Sequence, residues 1–271
     1  MFQIQNSYNL PLTTQPVIYI GYDFREHKAV RVLQHSISTH STVPIYTKTL
    51  NLTNLRRSGL YRRAPHHDST CWSQNTSPDP TTQHMKDLFD QRPFSTEFSF
   101  SRFLVPALNQ YEGYALFMDC DMYFRSDPMQ LFQYVTQPDQ KQYALWCVKH
   151  HDQPSEQTKM YGCPQTKYNK KNWSSFVVWN CGHPAHQNLT VDDVNTKPGS
   201  WLHQFKWLSS EDLIGALPEE WNFLDNHSPE TLEPKNMHFT TGGPWFPNWK
   251  PKRDIDHKYS QEWLELEKKI S

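Results

Sequence analysis

Asp119 and Asp121 stand one residue apart, directly after the apolar run Tyr114-Ala115-Leu116-Phe117-Met118. That run has the length and residue types of a buried strand. Such a strand delivers both carboxylates to its end, where open α/β sheets collect their ligands. Two acids on apolar ground are costly unless something positive meets them. A hard divalent cation that also grips substrate phosphates answers that need, as Mg²⁺ does with one or two carboxylates. His238 lies in Met237-His238-Phe239-Thr240-Thr241-Gly242-Gly243-Pro244-Trp245 and adds an imidazole nitrogen. Mn²⁺ takes both oxygen and nitrogen donors, which makes Asp119, Asp121 and His238 a candidate ligand set. Gly242 and Gly243 suit a close backbone approach to a ligand beside the flat ring of Trp245, although a plain turn reads the same way.

Three further groups could handle a substrate. Arg102 precedes the acidic strand, off the apolar stripe of its segment; its guanidinium can fork onto phosphate or hydroxyl oxygens, or simply face solvent. Lys171-Asn172-Trp173-Ser174-Ser175 combines donors, acceptors and one flat ring, a mixture that suits sugar hydroxyls and equally a polar lead-in to a strand. In Ser209-Ser210-Glu211-Asp212, the acids Glu211 and Asp212 could bind an acceptor hydroxyl, act as base or stabilise positive charge at a reacting carbon. The plainer alternative is a helix cap with acids in its first turn.

The elements around these residues point to an α/β fold. Val17-Ile18-Tyr19-Ile20-Gly21 reads as a strand, Ala29, Val30, Leu33 and Ile37 fall on one helical face, and Pro44-Ile45-Tyr46 opens a second strand. This β-α-β start argues for a mostly parallel sheet with crevices at its strand ends. Neither GxGxxG nor GxxxxGK[ST] is present, so a dinucleotide fold and a P-loop are unsupported. Residues 61–95 are polar and read as a long surface loop, a candidate lid. The spacing of Phe100, Phe103, Leu104, Ala107, Leu108 and Tyr111 predicts a helix, with Pro106 as a kink or break. Ser126-Asp127-Pro128 caps a helix through about Val135. Strands are expected over Tyr143–Val148 and Ser175–Trp179, a helical pattern over 201–217, loops over 234–250 and a short helix from Tyr259.

Composition narrows the classes. The 271 residues suit one domain, here 1–271, with a core over about 17–250, an irregular 1–15 and a helical tail over 255–271. The formal net charge of −1 supplies no basic field, which leaves nucleic acid only the role of a modified-DNA acceptor. No apolar run approaches the roughly 20 residues of a membrane span, and no basic-then-apolar leader is seen. Five cysteines without a CxxC pair disfavour a disulfide framework or zinc knuckle, so the expected location is cytoplasmic.

With these residues in view, the chain resembles the metal-dependent GT-A glycosyltransferases of the family 8-like group, which includes glycogenin and lipopolysaccharide galactosyltransferases. The resemblance runs from about Val17 to Trp245. It implies a GT-A, Rossmann-like fold: a mixed, mostly parallel central sheet flanked by helices. It also implies a nucleotide-sugar donor, with a UDP-sugar first, a carbohydrate acceptor and retention of anomeric configuration. Asp119, Asp121 and His238 would then hold Mn²⁺ or Mg²⁺, and Arg102 would touch the donor. Tyr22 and Asp23 would lie near the nucleotide, Trp173-Ser174-Ser175 would match the substrate strand, and Ser210-Glu211-Asp212 the acidic acceptor segment. This chain departs at Ser210 and Glu211, where the family has Asp and Gln. It departs again at Ser174, in place of Asn, and at Gly243, in place of a phosphate-binding Lys that Lys250 or Lys252 would have to replace. Arg25-Glu26-His27-Lys28-Ala29, Ser95-Thr96-Glu97-Phe98 and Gly242-Gly243-Pro244-Trp245-Phe246 look like a bacterial and phage branch of such enzymes. Two other classes use the same features. A haloacid dehalogenase-type phosphatase would make Asp119 the nucleophile and Asp121 the acid/base, and a non-catalytic carbohydrate-binding protein would use the Trp-rich surface.

Overall fold

The computed structural model describes residues 16–64, 66–67, 85–150, 170 and 172–270. The chain opens with β1 (Val17–Gly21), α1 (His27–His40) and β2 (Tyr46–Leu50), the β-α-β unit that the apolar spacing predicts. A short helix α2 (Leu52–Arg57) follows. The polar stretch after it is not all loop, because β3 (His66–His67), β4 (Met85–Lys86) and β5 (Pro93–Phe94) pair as a small antiparallel sheet. Residues 65 and 68–84 of that stretch, and residues 1–15, expected to be irregular, lie outside the described residues.

The helix expected over 100–111 is broken into a 3-10 turn at Ser101–Leu104 and a single α-turn, α3 (Val105–Leu108). Pro106 has no N–H to continue the ladder, so it sits in the first turn of α3. Left-handed backbone at Gln110 and Tyr111, φ 56° in each, then turns the chain into β6 (Tyr114–Met118). Next come β7 (Met122–Phe124) and α4 (Met129–Val135), whose Met129 N–H donates to the Asp127 carboxylate at 2.8 Å. Strands β8 (Leu145–Cys147) and β9 (Phe176–Asn180) appear where expected. The helical pattern over 201–217 does not hold. After α5 (Val191–Thr196), α6 (Gly199–His203) stops before Phe205, which adopts φ 56°, and Ile214–Ala216 is strand β10. The Ser210 hydroxyl, accepting from Asp212 N–H at 3.1 Å, caps only a 3-10 turn before that strand. The chain closes with β11 (Phe223–Leu224), β12 (Asn236–His238) and α7 (Asp254–Ile270), a longer terminal helix than Tyr259 onward suggests.

Six strands in the order β10-β8-β9-β6-β1-β2 form the central sheet, with β9 antiparallel to both its neighbours. A second sheet, β11-β12-β7, stands beside it. Ile18, Ile20, Leu116, Met118, Val178 and Trp179 lie in the large apolar core. Ala29 and Val32 of α1, Tyr123, Phe223, Met237, Tyr259 and Trp263 build a separate cluster between α1, α7 and the small sheet. Side chains alternate across a strand. Met237 therefore enters this second cluster, while its neighbours Asn236 and His238 face the other way. The Ser36 hydroxyl of α1 accepts the Phe124 N–H at 3.0 Å, which locks helix to small sheet. Among the described residues, no helix is long and apolar enough to cross a membrane.

Candidate active site

The Asp-Cys-Asp segment is the joint between the two sheets. Asp119 extends β6, its N–H bonded to the Ser175 carbonyl at 2.9 Å in continuation of the β6–β9 ladder. Asp121 leads into β7, and its carbonyl accepts the Phe239 N–H at 2.9 Å, next to the Met122–His238 pair of the β7–β12 ladder. Strand alternation turns Cys120 inward, fully buried, and leaves the two acids on the opposite side. The two ladders thus bring residues 119, 121 and 238 together. Asp119, Asp121 and His238 each offer one ligand atom, all within 4.8 Å of one another.

The donor set fits a divalent cation. Asp121 Oδ1 is buried and receives no hydrogen bond among the described residues, and His238 Nε2 stands 3.3 Å from it. The other imidazole nitrogen, Nδ1, is bound to Asn222 Oδ1 at 2.8 Å, the second contact that metal-binding histidines characteristically make. Beneath the joint, burial, followed by the charges of Asp121 and Asp23, pushes the Glu26 carboxyl well above the usual carboxylate range. Its Oε2 accepts from the Cys120 thiol at 3.4 Å, a thiol that burial keeps protonated.

Arg102 is not a surface residue. It is buried, with Nη1 2.9 Å from Asp119 Oδ1 and 2.8 Å from the Ser174 carbonyl. Its guanidinium lies 5.3 and 5.0 Å from the ring centres of Phe98 and Phe117. Gly21 makes room for this arrangement: a Cβ there would meet the Phe98 ring at 2.4 Å. The Nε of Arg102 is buried and has no hydrogen-bond partner among the described residues.

The other expected residues divide. Ser174 Oγ sits 2.8 Å from His203 Nδ1, and Ser175 and Asn172 are buried against the acids' strand. Lys171 lies outside the described residues. Gly242 has φ 98°, and a Cβ on Gly243 would meet the Trp245 ring at 2.1 Å, so this loop needs both glycines. Trp245 packs against Phe239 and Trp263, supporting that loop from the side of α7. Asp225 anchors the same loop: its Oδ1 accepts from Thr240 N–H at 2.6 Å and Thr240 Oγ1 at 2.9 Å. Asp23 does not open to the crevice. Its carboxylate is fully buried, held by Arg25 at 2.6 Å and by the Glu97 N–H at 3.2 Å. At the end of β1, Tyr22 is half-buried and Phe24 is exposed. Glu211 and Asp212 are exposed before β10, three strand positions from β6, a span of about 14 Å at the usual strand spacing. Glu211 pairs with Lys170 at 2.5 Å. Lys250 and Lys252 are exposed.

Phe24, Lys170, His203, Asn222 and Asp225 were not singled out from sequence. Lys170 adjoins the flagged Lys171 and Phe24 the flagged Asp23; His203, Asn222 and Asp225 meet partners 29, 16 and 15 residues away.

Solved structures place this geometry in a known architecture. The bifunctional glycosyltransferase WbbM aligns with a TM-score of 0.53 and 16% identity, over 95% of this chain and 52% of that one. The glycosyltransferase GlyE of Streptococcus pneumoniae TIGR4 gives 0.52 and 15%, over 94% and 63%. An active-site mutant of LgtC gives 0.51 and 12%, over 93% and 95%. The chain therefore spans less than two thirds of WbbM and of GlyE. The fold is GT-A. No family model matches the sequence. Protein CDI of Arabidopsis thaliana is 40% identical over 252 residues, covering 91% of this chain and 84% of that protein. The chain belongs to the family of Protein CDI.

Proposed function

We propose that the protein is a metal-dependent glycosyltransferase. It moves a sugar from a nucleoside diphosphate sugar, UDP-sugars first, to a hydroxyl of a carbohydrate acceptor, with retention as in the family 8-like enzymes. The observation that carries this reading is the convergence of Asp119, Asp121 and His238 at the joint of the two sheets of a GT-A fold. Those three residues would hold Mn²⁺ or Mg²⁺. When bound, the ion supplies Lewis-acid stabilisation of the charge that develops on the diphosphate leaving group. Arg102, whose Nη1 lies 2.9 Å from Asp119 Oδ1, brings a guanidinium charge to the side of the site where the donor's phosphates would sit. Tyr22 and Phe24 offer ring faces to the nucleoside base at the end of β1. The Gly242-Gly243 loop, held by Asp225, lets backbone approach the diphosphate closely. Asn172 and the Ser174–His203 pair border the sugar, and Glu211 and Asp212 face the acceptor.

The phosphatase alternative needs the Asp119 carboxylate as an unencumbered nucleophile, whereas Arg102 holds it at 2.9 Å within a three-ligand group. Nucleotide release from a panel of UDP-, GDP- and dTDP-sugars, in Mn²⁺ and in EDTA, tests the proposal. Release that needs the metal supports it. Turnover of p-nitrophenyl phosphate without nucleotide release, or sugar binding without any turnover, contradicts it.

A further inference from the structure

We propose that Asn222 is a positioning residue that fixes His238 in the tautomer whose Nε2 lone pair faces the cation. The inference rests on the metal-dependent reading of the site.

It follows from one chain of hydrogen bonds whose direction is set at its end. The Asn172 carbonyl has no proton to give, so the Ser175 hydroxyl donates to it, at 2.6 Å. With its proton used, Ser175 Oγ accepts from Asn222 Nδ2, at 3.1 Å. That contact fixes which way the amide points: Oδ1 turns to His238 Nδ1, at 2.8 Å. An amide oxygen can only accept, so Nδ1 carries the proton. In a neutral imidazole the lone pair then belongs to Nε2, the nitrogen beside Asp121. Relative exposures are 9% for Asn172, 4% for Ser175, 0% for Asn222 and 3% for His238, so solvent does not compete for these partners. Ser175 serves both arms of the site, since its carbonyl also holds the Asp119 N–H at 2.9 Å. A ligand histidine loses affinity for its metal when the partner on its other nitrogen is removed, by about 10- to 100-fold.

The test uses the full chain and Mn²⁺ alone, titrated by the EPR signal of the free ion. Asn222→Leu should weaken Mn²⁺ binding by about 10- to 100-fold. Nitrogen-15 NMR of the neutral His238 ring in the metal-free wild type, which needs no variant, should show its one proton on Nδ1 and not on Nε2. A proton on Nε2, a folded Asn222→Leu protein with unchanged Mn²⁺ affinity, or a wild type that binds no Mn²⁺ would overturn the proposal. The expected tautomer and affinities without any sugar-nucleotide turnover would sink the transferase reading and leave the role of Asn222 standing. Metal-dependent turnover with the opposite tautomer would do the reverse.

Discussion

Asp121→Asn should stabilise the metal-free protein and remove its response to Mn²⁺. The ligand atoms of Asp119 and Asp121 lie within 4.8 Å of each other. Two unit charges at that separation repel by about 3.5 kcal/mol at an effective dielectric constant of about 20. Arg102, at 2.9 Å from Asp119, offsets part of this, whereas Asp121 Oδ1 is buried without a hydrogen bond. Asparagine keeps the shape and removes one charge, so a net gain of about 1–2 kcal/mol is expected in EDTA at about pH 8, where an ordinary imidazole is neutral. At about 2–4 °C per kcal/mol, the melting temperature of the variant should rise by about 2–8 °C. The wild type in Mn²⁺ at about 100 times its Kd should gain about 2.7 kcal/mol, and the variant little. The order of stability therefore reverses between EDTA and Mn²⁺, which thermal melts of both proteins across an Mn²⁺ series would display. A variant less stable than wild type in EDTA, or one with an equal Mn²⁺ shift, refutes the reasoning.

Arg102→Ala removes a charged hydrogen bond of about 1.5–3 kcal/mol and should lower donor kcat/KM by about 10- to 100-fold. Kinetics with donor and acceptor varied separately should show the loss mainly on the donor side, and unchanged donor parameters would contradict the assignment. Burial lowers the His186 pKa to about 4, so between pH 6.5 and 4 the unfolded chain binds a proton that the native state does not, and stability falls as pH falls through that window. The loss from this group approaches about 3 kcal/mol; denaturant melts of His186→Gln should show a shallower decline, and an identical decline would count against it. Proton NMR of the first-formed product should show the donor's anomeric configuration, with Glu211→Gln keeping substantial turnover. An inverted product together with a dead Glu211→Gln variant would make Glu211 the base.

The convergence of the candidate ligands was legible because their parts carry chemical signatures: two acids after an apolar strand, and a histidine beside paired glycines. The opening β-α-β unit was legible because Ala29, Val30, Leu33 and Ile37 repeat at helical spacing. Periodicity misled where backbone features overrode it. Pro106 broke one expected helix, a break its place in the pattern had already signalled, and Phe205 in left-handed backbone ended another before β10. Arg102 read as a donor contact or a surface arginine, and its burial was not legible. Its stacking on Phe98 and Phe117 comes from pairing β1 with β6, which one segment cannot reveal. Asn222 was invisible for a similar reason, being an uncharged amide that acquires its role only when β12 and β9 arrive on either side of it. Strings that resemble a bacterial and phage branch occur here in a chain 40% identical to a plant protein.

The central claim is that Asp119, Asp121 and His238 hold a cation that meets a nucleotide diphosphate. Crystals grown with Mn²⁺ and UDP, with data collected at the manganese absorption edge, test it most directly. The account predicts one anomalous peak bonded to both carboxylates, to His238 Nε2 and to diphosphate oxygens. A peak elsewhere, or UDP bound away from these three residues, would contradict it.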